Sequence, residues 1–212
     1  MKVLRYKLVS ESELLQRLKE TRLKGFDQPL IYQQATLEIV EQVNTDLLVP
    51  PQRYVLKATV DSILELADDF EVLGIDIFSL RGGILFWLEG SDPEKDLPIP
   101  LLPPIVEEST ERDGKVVQLI NDGMHRVMSA RKRGRGINIV SARNVPTQYP
   151  YYAYAFQGGW GEVKEFEELP DEFQKKDYRN PDNYKALFRN FNAVFAGVQQ
   201  QRKQSNPSHI KE

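Results

Sequence analysis

KVVQLINDGMHRVMSARKRGRG, residues 115–136, is the stretch from which the rest of the chain is best read. Val116 to Ile120 is a short apolar run suited to a strand, and Asn121-Asp122-Gly123 is a turn signal. A helix is predicted from Met124, ending in the basic cluster Arg131-Lys132-Arg133 and Arg135, which Gly134 and Gly136 punctuate. A strand that passes through an Asp-Gly turn into a helix aims the helix's unsatisfied N–H groups at whatever lies above the turn. Those donors and the positive end of the helix dipole favour an anion, phosphate above all. His125 and Arg126 stand within the first helical turn, the one titratable near neutral pH and the other always cationic.

Composition narrows the classes. With 212 residues and 41% hydrophobic content, the chain suits one domain with appendages and has a substantial core. A net charge of −3 argues against a general nucleic-acid binder and leaves room for a local basic face. The absence of cysteine removes disulfides, thiolate metal sites and cysteine nucleophiles. With His209 in a polar tail, a histidine-built metal site is not expected either. No apolar run approaches the ~18–20 residues that span a bilayer. The opening MKVLRYKLVSESE lacks an apolar signal region, so the expected setting is cytoplasmic, with no membrane partner.

Around the central stretch, Ser10 and Glu13 form a capping box, which predicts a helix over 11–24 with Leu14, Leu15 and Leu18 inward and Gly25 as the stop. A strand is read at 37–43. A helix capped by Thr59 or Asp61 carries Val60, Ile63, Leu64, Ala67 and Phe70 on one side. Ile75–Leu80 and Ile84–Glu89 flank Arg81-Gly82-Gly83 as a hairpin. Three prolines at 93, 98 and 100 make 90–102 a loop, Pro103-Pro104-Ile105-Val106 opens a strand, and 137–145 forms another. Tyr149, Tyr151, Tyr152, Tyr154, Phe156 and Trp160 could stack on a base or sugar. The burial tendency of rings favours instead an arm lying across the domain. Asn180 and Pro181 then predict a helix whose apolar stripe runs from Tyr184 through Phe188 and Phe195 to Val198. The fold class is α+β. Its expected organisation is an N-terminal helical extension (1–34), a nucleotide-binding domain (35–146), an aromatic arm with a C-terminal helix (147–203) and a flexible tail (204–212).

Residues 103–136 resemble the ParB/sulfiredoxin-like superfamily, which includes the ParB N-terminal domain, sulfiredoxin and a free-serine kinase. The matching parts are Pro103-Pro104-Ile105-Val106 and, downstream, Asp122-Gly123-Met124-His125-Arg126, followed by a helix with Ser129 and Ala130 and a closing glycine. The resemblance implies a mixed sheet with helices packed on it. It also implies a nucleotide-phosphate pocket in which Gly123 permits close backbone approach while His125 and Arg126 contact phosphate. Leu48–Arg53 looks like the family's lead-in segment, and the 59–70 helix takes the place of one that also faces the nucleotide. The Gly-x-His-Arg form is closer to sulfiredoxin and the serine kinase than to the Gly-Glu-Arg-Arg form of chromosome-partitioning ParB proteins. Met124, however, stands where sulfiredoxin has its essential cysteine, which rules out sulfinic acid reduction.

Asp122, Gly123, Met124, His125 and Arg126 are thus the expected phosphate-binding residues, with His125 and Arg126 as catalytic candidates. Arg53, Lys57, Ser62 and Pro104 are candidate further contacts; Lys57, Thr59 and Ser62 have the right types without the family's spacing. Glu38 and Glu41 are the carboxylates available from the first strand, although neither lies in a matching motif. The implied ligand is ATP, ADP or CTP, with Mg2+ held by phosphates and one carboxylate. The leading expectation is a nucleotide-dependent phosphotransferase or hydrolase acting on an unidentified small molecule or protein. A ParB-like module that dimerises or changes contacts on binding CTP or ATP without turnover is the alternative. A DNA-binding protein or nuclease comes third, because no helix-turn-helix follows the motif and the net charge is acidic. Arg131-Lys132-Arg133 is more simply a solvated helix end, and Asp122 suits either a helix cap or a base.

Overall fold

In the computed structural model, which describes residues 2–196, the central stretch folds as a strand, a left-handed glycine and a helix. In chain order the elements are β1 (Val3–Val9), α1 (Glu11–Leu18), β2 (Thr36–Val43), β3 (Leu48–Val49), β4 (Tyr54–Leu56) and α2 (Lys57–Val72). There follow β5 (Gly83–Leu88), β6 (Ile99–Leu101), β7 (Ile105–Thr110), β8 (Val116–Asp122), α3 (Met124–Lys132) and β9 (Ile137–Arg143). The last are β10 (Ala153–Tyr154), β11 (Lys164–Phe166) and β12 (Asp177–Tyr178). The main sheet is mixed and has the order β2-β9-β7-β8-β3, with β9/β7 and β8/β3 parallel and the other neighbours antiparallel. A second, antiparallel sheet has the order β1-β5-β6. This is an α+β protein. No helix among the described residues is long and apolar enough to cross a membrane.

The main sheet is covered on both faces. On one side α2 and α3 pack with Val106, Ile120, Ile137 and Ile139, and the small sheet closes this core through Ile84, Phe86 and Leu101. On the other side Leu14 and Leu18 of α1 meet Tyr32, Val140, Ala142 and the C-terminal residues Leu187, Phe191 and Phe195. Double-sided burial explains why β9 carries apolar residues on both faces, Ile137 and Ile139 toward one core and Val140 and Ala142 toward the other.

The second core surrounds a buried polar cluster. Glu107, 2% exposed at the side chain, accepts from both Nε (2.9 Å) and Nη2 (2.8 Å) of Arg189, which is 1% exposed. Tyr32 donates its hydroxyl to Glu107 Oε1 at 2.5 Å, and Asn121 Nδ2 reaches both partners. Arg189 spends its remaining donors on the carbonyls of Tyr149, Pro150 and Leu187. Burial works against the Arg189 charge, but the adjacent carboxylate outweighs it and lifts the pKa above the ordinary value. Burial likewise drives Tyr32 well above its usual range, so it stays a hydroxyl donor.

Several expectations are corrected. The first helix stops at Leu18 because the chain then turns, burying Thr21 and pairing Arg22 with Leu30 and Leu23 with Arg189. Residues 75–80 form no strand. Asp76 accepts from the Phe78 N–H and the Ser79 hydroxyl, which curls the segment, and β5 pairs instead with β1 and β6. Gly82 serves a different purpose from a hairpin turn, since a Cβ there would lie 2.0 Å from the Val9 carbonyl oxygen. Residues 99–101 form a strand despite Pro98 and Pro100, because β6 lies at a sheet edge where a missing N–H is tolerated. The predicted C-terminal α-helix is replaced by two 3-10 turns, Tyr184–Leu187 and Phe191–Ala193. Its apolar residues are pinned to the core one by one, and Asn180 caps only a turn, accepting from the Asn183 N–H. Val198 and the expected tail, 204–212, lie outside the described residues.

The aromatic arm packs inward as burial predicts. Tyr151 is 2% exposed, Tyr152 sits 4.3 Å from it between ring centroids, and Tyr178 stacks 4.1 Å from Tyr184.

Glu107→Leu should cost on the order of 3–5 kcal/mol, because it leaves a guanidinium buried without its counter-charge. The double variant Glu107→Leu/Arg189→Met should be markedly more stable than Glu107→Leu alone. Urea unfolding of wild type, both single variants and the double variant measures the coupling directly.

Candidate functional site

The β8–α3 turn follows from one residue's freedom. Gly123 has φ +91°, and a Cβ there would sit 2.9 Å from Pro104 Cα and 2.8 Å from a guanidinium nitrogen of Arg126. Only glycine combines that dihedral with that closeness. Gly123 is also the N-cap of α3 and supplies no side-chain acceptor. Asp122 does not cap the helix. Its carboxylate pairs with Arg126 four residues on, and Arg126 Nη1 donates to the Leu102 carbonyl, clamping the turn to the segment that leads into β7. Pro104 completes the seat, its carbonyl taking the Val140 N–H at 2.8 Å. The structure therefore brings Pro104, Asp122, Gly123 and Arg126 together. Met124 points into the core, 6% exposed.

His125 ties this turn to a second helix start. Its Nε2 accepts from the Leu56 N–H at 3.1 Å, and Leu56 is the N-cap of α2. An Nε2 that accepts places the ring proton on Nδ1. Burial pulls the His125 pKa down to about 4, with the Asp122 carboxylate opposing this and the Arg126 charge adding to it. The imidazole is neutral at pH 7. Further along, Ser129 Oγ lies 3.4 Å from the Val60 carbonyl and Arg133 Nη2 donates to that of Leu64 at 3.0 Å. Contacts at 125/56, 129/60 and 133/64 mean that α2 and α3 run side by side in the same direction.

Both positive helix ends therefore face the same region. Neither N-terminus has a side-chain cap or an acidic residue in its first turn. The expected Thr59 or Asp61 cap is displaced because α2 continues directly from β4, with Leu56 held by the His125 ring. Thr59 instead sits in the first turn of α2, with a buried hydroxyl oxygen that lacks a hydrogen-bond partner.

The other nominated residues are engaged by partners outside the turn. Arg53 faces Glu162 at 3.1 Å and covers the Phe156 ring at 4.2 Å, Lys57 faces Glu167 at 2.6 Å, and Ser62 bonds back to the Ala58 carbonyl at 2.7 Å. Glu38 pairs with Arg143 at 2.7 Å and Glu41 with Arg81 at 3.1 Å, so both are engaged in surface ion pairs. The basic helix end is compensated too: Arg131 faces Asp46, Lys132 faces Glu165, Arg133 faces Asp68 and Arg135 faces Asp76. Among the described residues, no three of His, Cys, Asp and Glu group as metal ligands. Two surface concavities, one of about 320 Å³ at 173–181 and one of about 450 Å³ between Gln42 and Gly136, lie away from the turn.

Sequence reasoning missed what supports the turn from beneath. Asn121 immediately precedes Asp122 and belongs to the Glu107–Arg189 cluster, and Tyr151 donates to the Asn121 carbonyl at 3.3 Å. No local signal marks Glu107, whose partner Arg189 lies 82 residues away. The Leu56 N–H is a backbone group and leaves no trace in side-chain patterns.

The His125 shift predicts an acid-sensitive fold. The unfolded chain takes up a proton near pH 6.5, whereas the folded ring resists until about 4. The associated stability is complete above pH 6.5 and is lost progressively as pH falls toward 4. Thermal melts across this window should show a flatter decline for His125→Gln than for wild type.

Residues 13–164 match the family model of the ParB CE domain. No curated protein matches the chain. The matched region runs from the third residue of α1 to the start of β11 and takes in the main sheet, the paired helices and the glycine turn. It covers well over half of the 212 residues, and the chain belongs to the ParB CE domain family.

Proposed function

We propose that this chain is a nucleotide-binding ParB-like module that takes the phosphates of ATP, ADP or CTP at the Asp122-Gly123-Met124 turn. The observation that carries this reading is the convergence of two helix N-termini, neither capped by its own N-cap side chain, held together by the His125–Leu56 hydrogen bond. Parallel helices place like dipole ends side by side, a mildly unfavourable arrangement that an anion between them relieves. The Gly123 backbone supplies close approach, Nδ1–H of the neutral His125 supplies a donor, and Arg126 supplies fixed positive charge. Among the residues of the turn, Asp122 is the carboxylate that would hold a magnesium ion, which would supply charge neutralisation to the phosphates.

Binding draws on more of this geometry than phosphoryl transfer does. Transfer would ask His125 to accept a proton, yet its Nε2 lone pair is engaged by Leu56 and its pKa is about 4. Asp122, the carboxylate at the turn, is paired with Arg126. We therefore favour a module that responds to a bound nucleotide over one that consumes it.

Calorimetric titration of ATP, ADP and CTP with magnesium tests the reading, together with phosphate release. Wild type should bind at least one of them. Arg126→Ala should weaken binding roughly tenfold or more, the scale of a lost charge-assisted hydrogen bond. Arg133→Ala, which alters the opposite end of α3, should bind as wild type does. No binding at millimolar nucleotide, or unchanged affinity in a folded Arg126→Ala, overturns the proposal. Steady phosphate release abolished by His125→Gln would instead favour the phosphotransferase reading.

A further inference from the structure

The segment after the aromatic arm carries Glu162, Glu165, Glu167 and Glu168 within seven residues and lies along β4. Lys164, Glu165 and Phe166 pair in parallel with Tyr54, Val55 and Leu56, which brings Glu167 to the first residue of α2. Three of these carboxylates face cations from three different elements: Glu162 with Arg53, Glu165 with Lys132 and Glu167 with Lys57. Arg53 and Lys57 flank the start of α2, whose N-cap Leu56 is bonded to His125. Through Glu162 and Glu167 the acidic segment thus occupies the cations beside the start of α2, while Glu165 is held at the far end of α3.

The hold is divided between a firm anchor and weak clasps. Trp160 Nε1 donates to the carbonyls of Thr45 (3.1 Å) and Leu48 (2.7 Å), and its ring lies under the Arg131 guanidinium at 4.6 Å. Beyond that anchor, the Lys57–Glu167 pair is 47% and 71% exposed at its side chains. Exposed pairs of this kind contribute little and yield readily to a stronger anion. A polyphosphate brings several charges to the same cations.

We propose that residues 162–168 are a self-inhibitory strap whose glutamates stand in for ligand phosphates and are displaced when the nucleotide binds. The proposal rests on the phosphate site described above. Displacement frees Arg53 and Lys57 for the ligand and uncovers the outer edge of β4, while Trp160 keeps the strap tethered.

Affinity and trypsin cleavage after Lys164 test this in the intact chain. Glu162→Gln/Glu167→Gln should bind ATP roughly three- to tenfold tighter than wild type, the range that one half-buried and one exposed charge pair can supply. Glu168→Gln removes the same kind of charge from the same segment without touching either pair, and should change affinity less. Saturating ATP should speed cleavage after Lys164 in wild type. If wild type binds ATP but the double variant binds no more tightly than Glu168→Gln, the strap does not compete and the proposal fails. ATP protection of Lys164 would overturn it as well. If neither wild type nor any variant binds nucleotide, the phosphate site itself is wrong and the strap proposal falls with it.

Discussion

A charged carboxylate and a guanidinium buried together in the second core set the terms for most of the molecule. Glu107 sits in β7, between β8 and β9, and Arg189 arrives from the C-terminal segment, so a central strand and the last stretch of described chain are joined by two hydrogen bonds. A buried pair of this kind is strongly destabilising only when broken. Tyr32 and Asn121 complete its hydrogen bonding, which draws in the segment after α1 and the strand end before the glycine turn. The platform beneath the candidate site and the closure of the second core therefore depend on the same four side chains.

On the opposite face of the sheet, the parallel pairing of α2 and α3 decides what the turn can do. A lone helix start is a common feature with modest electrostatic weight. Two starts in register double the local field, and the ring of His125 links them through a backbone N–H that would otherwise be an orphan. Burial of the imidazole keeps it neutral from pH 7 down toward about 4 and leaves Arg126 as the fixed cation of the turn. The acidic segment along β4 answers the cations beside the start of α2, Glu162 pairing with Arg53 and Glu167 with Lys57.

The local elements were legible wherever backbone chemistry is local. The Ser10 N-cap, the left-handed Gly123 and the start of α3 at Met124 each rest on residues within four positions of one another and appear as read, although Glu13 turns its carboxylate to Arg17 instead of completing the capping box. The expected hairpin at Arg81-Gly82-Gly83 misled because the same glycines serve a close crossing with Val9, a contact made across some seventy residues. The apolar stripe from Tyr184 to Phe195 had helical spacing, yet its residues are held singly by Tyr32, Tyr152 and the Arg189 contacts. Packing overrode periodicity there because each ring finds a partner that helical geometry would have withdrawn.

What the sequence determined by itself was the α+β class, the strand-glycine-helix unit and the residue types at its tip, since turn chemistry and helix capping act over a few residues. Only the tertiary structure decided how that tip is used. It set α2 beside α3, committed Asp122 to Arg126 and engaged the basic helix end in ion pairs. It also laid β11 and its flanking glutamates alongside β4. Each of these depends on residues far apart in the chain, and such distances become short only when the two cores close.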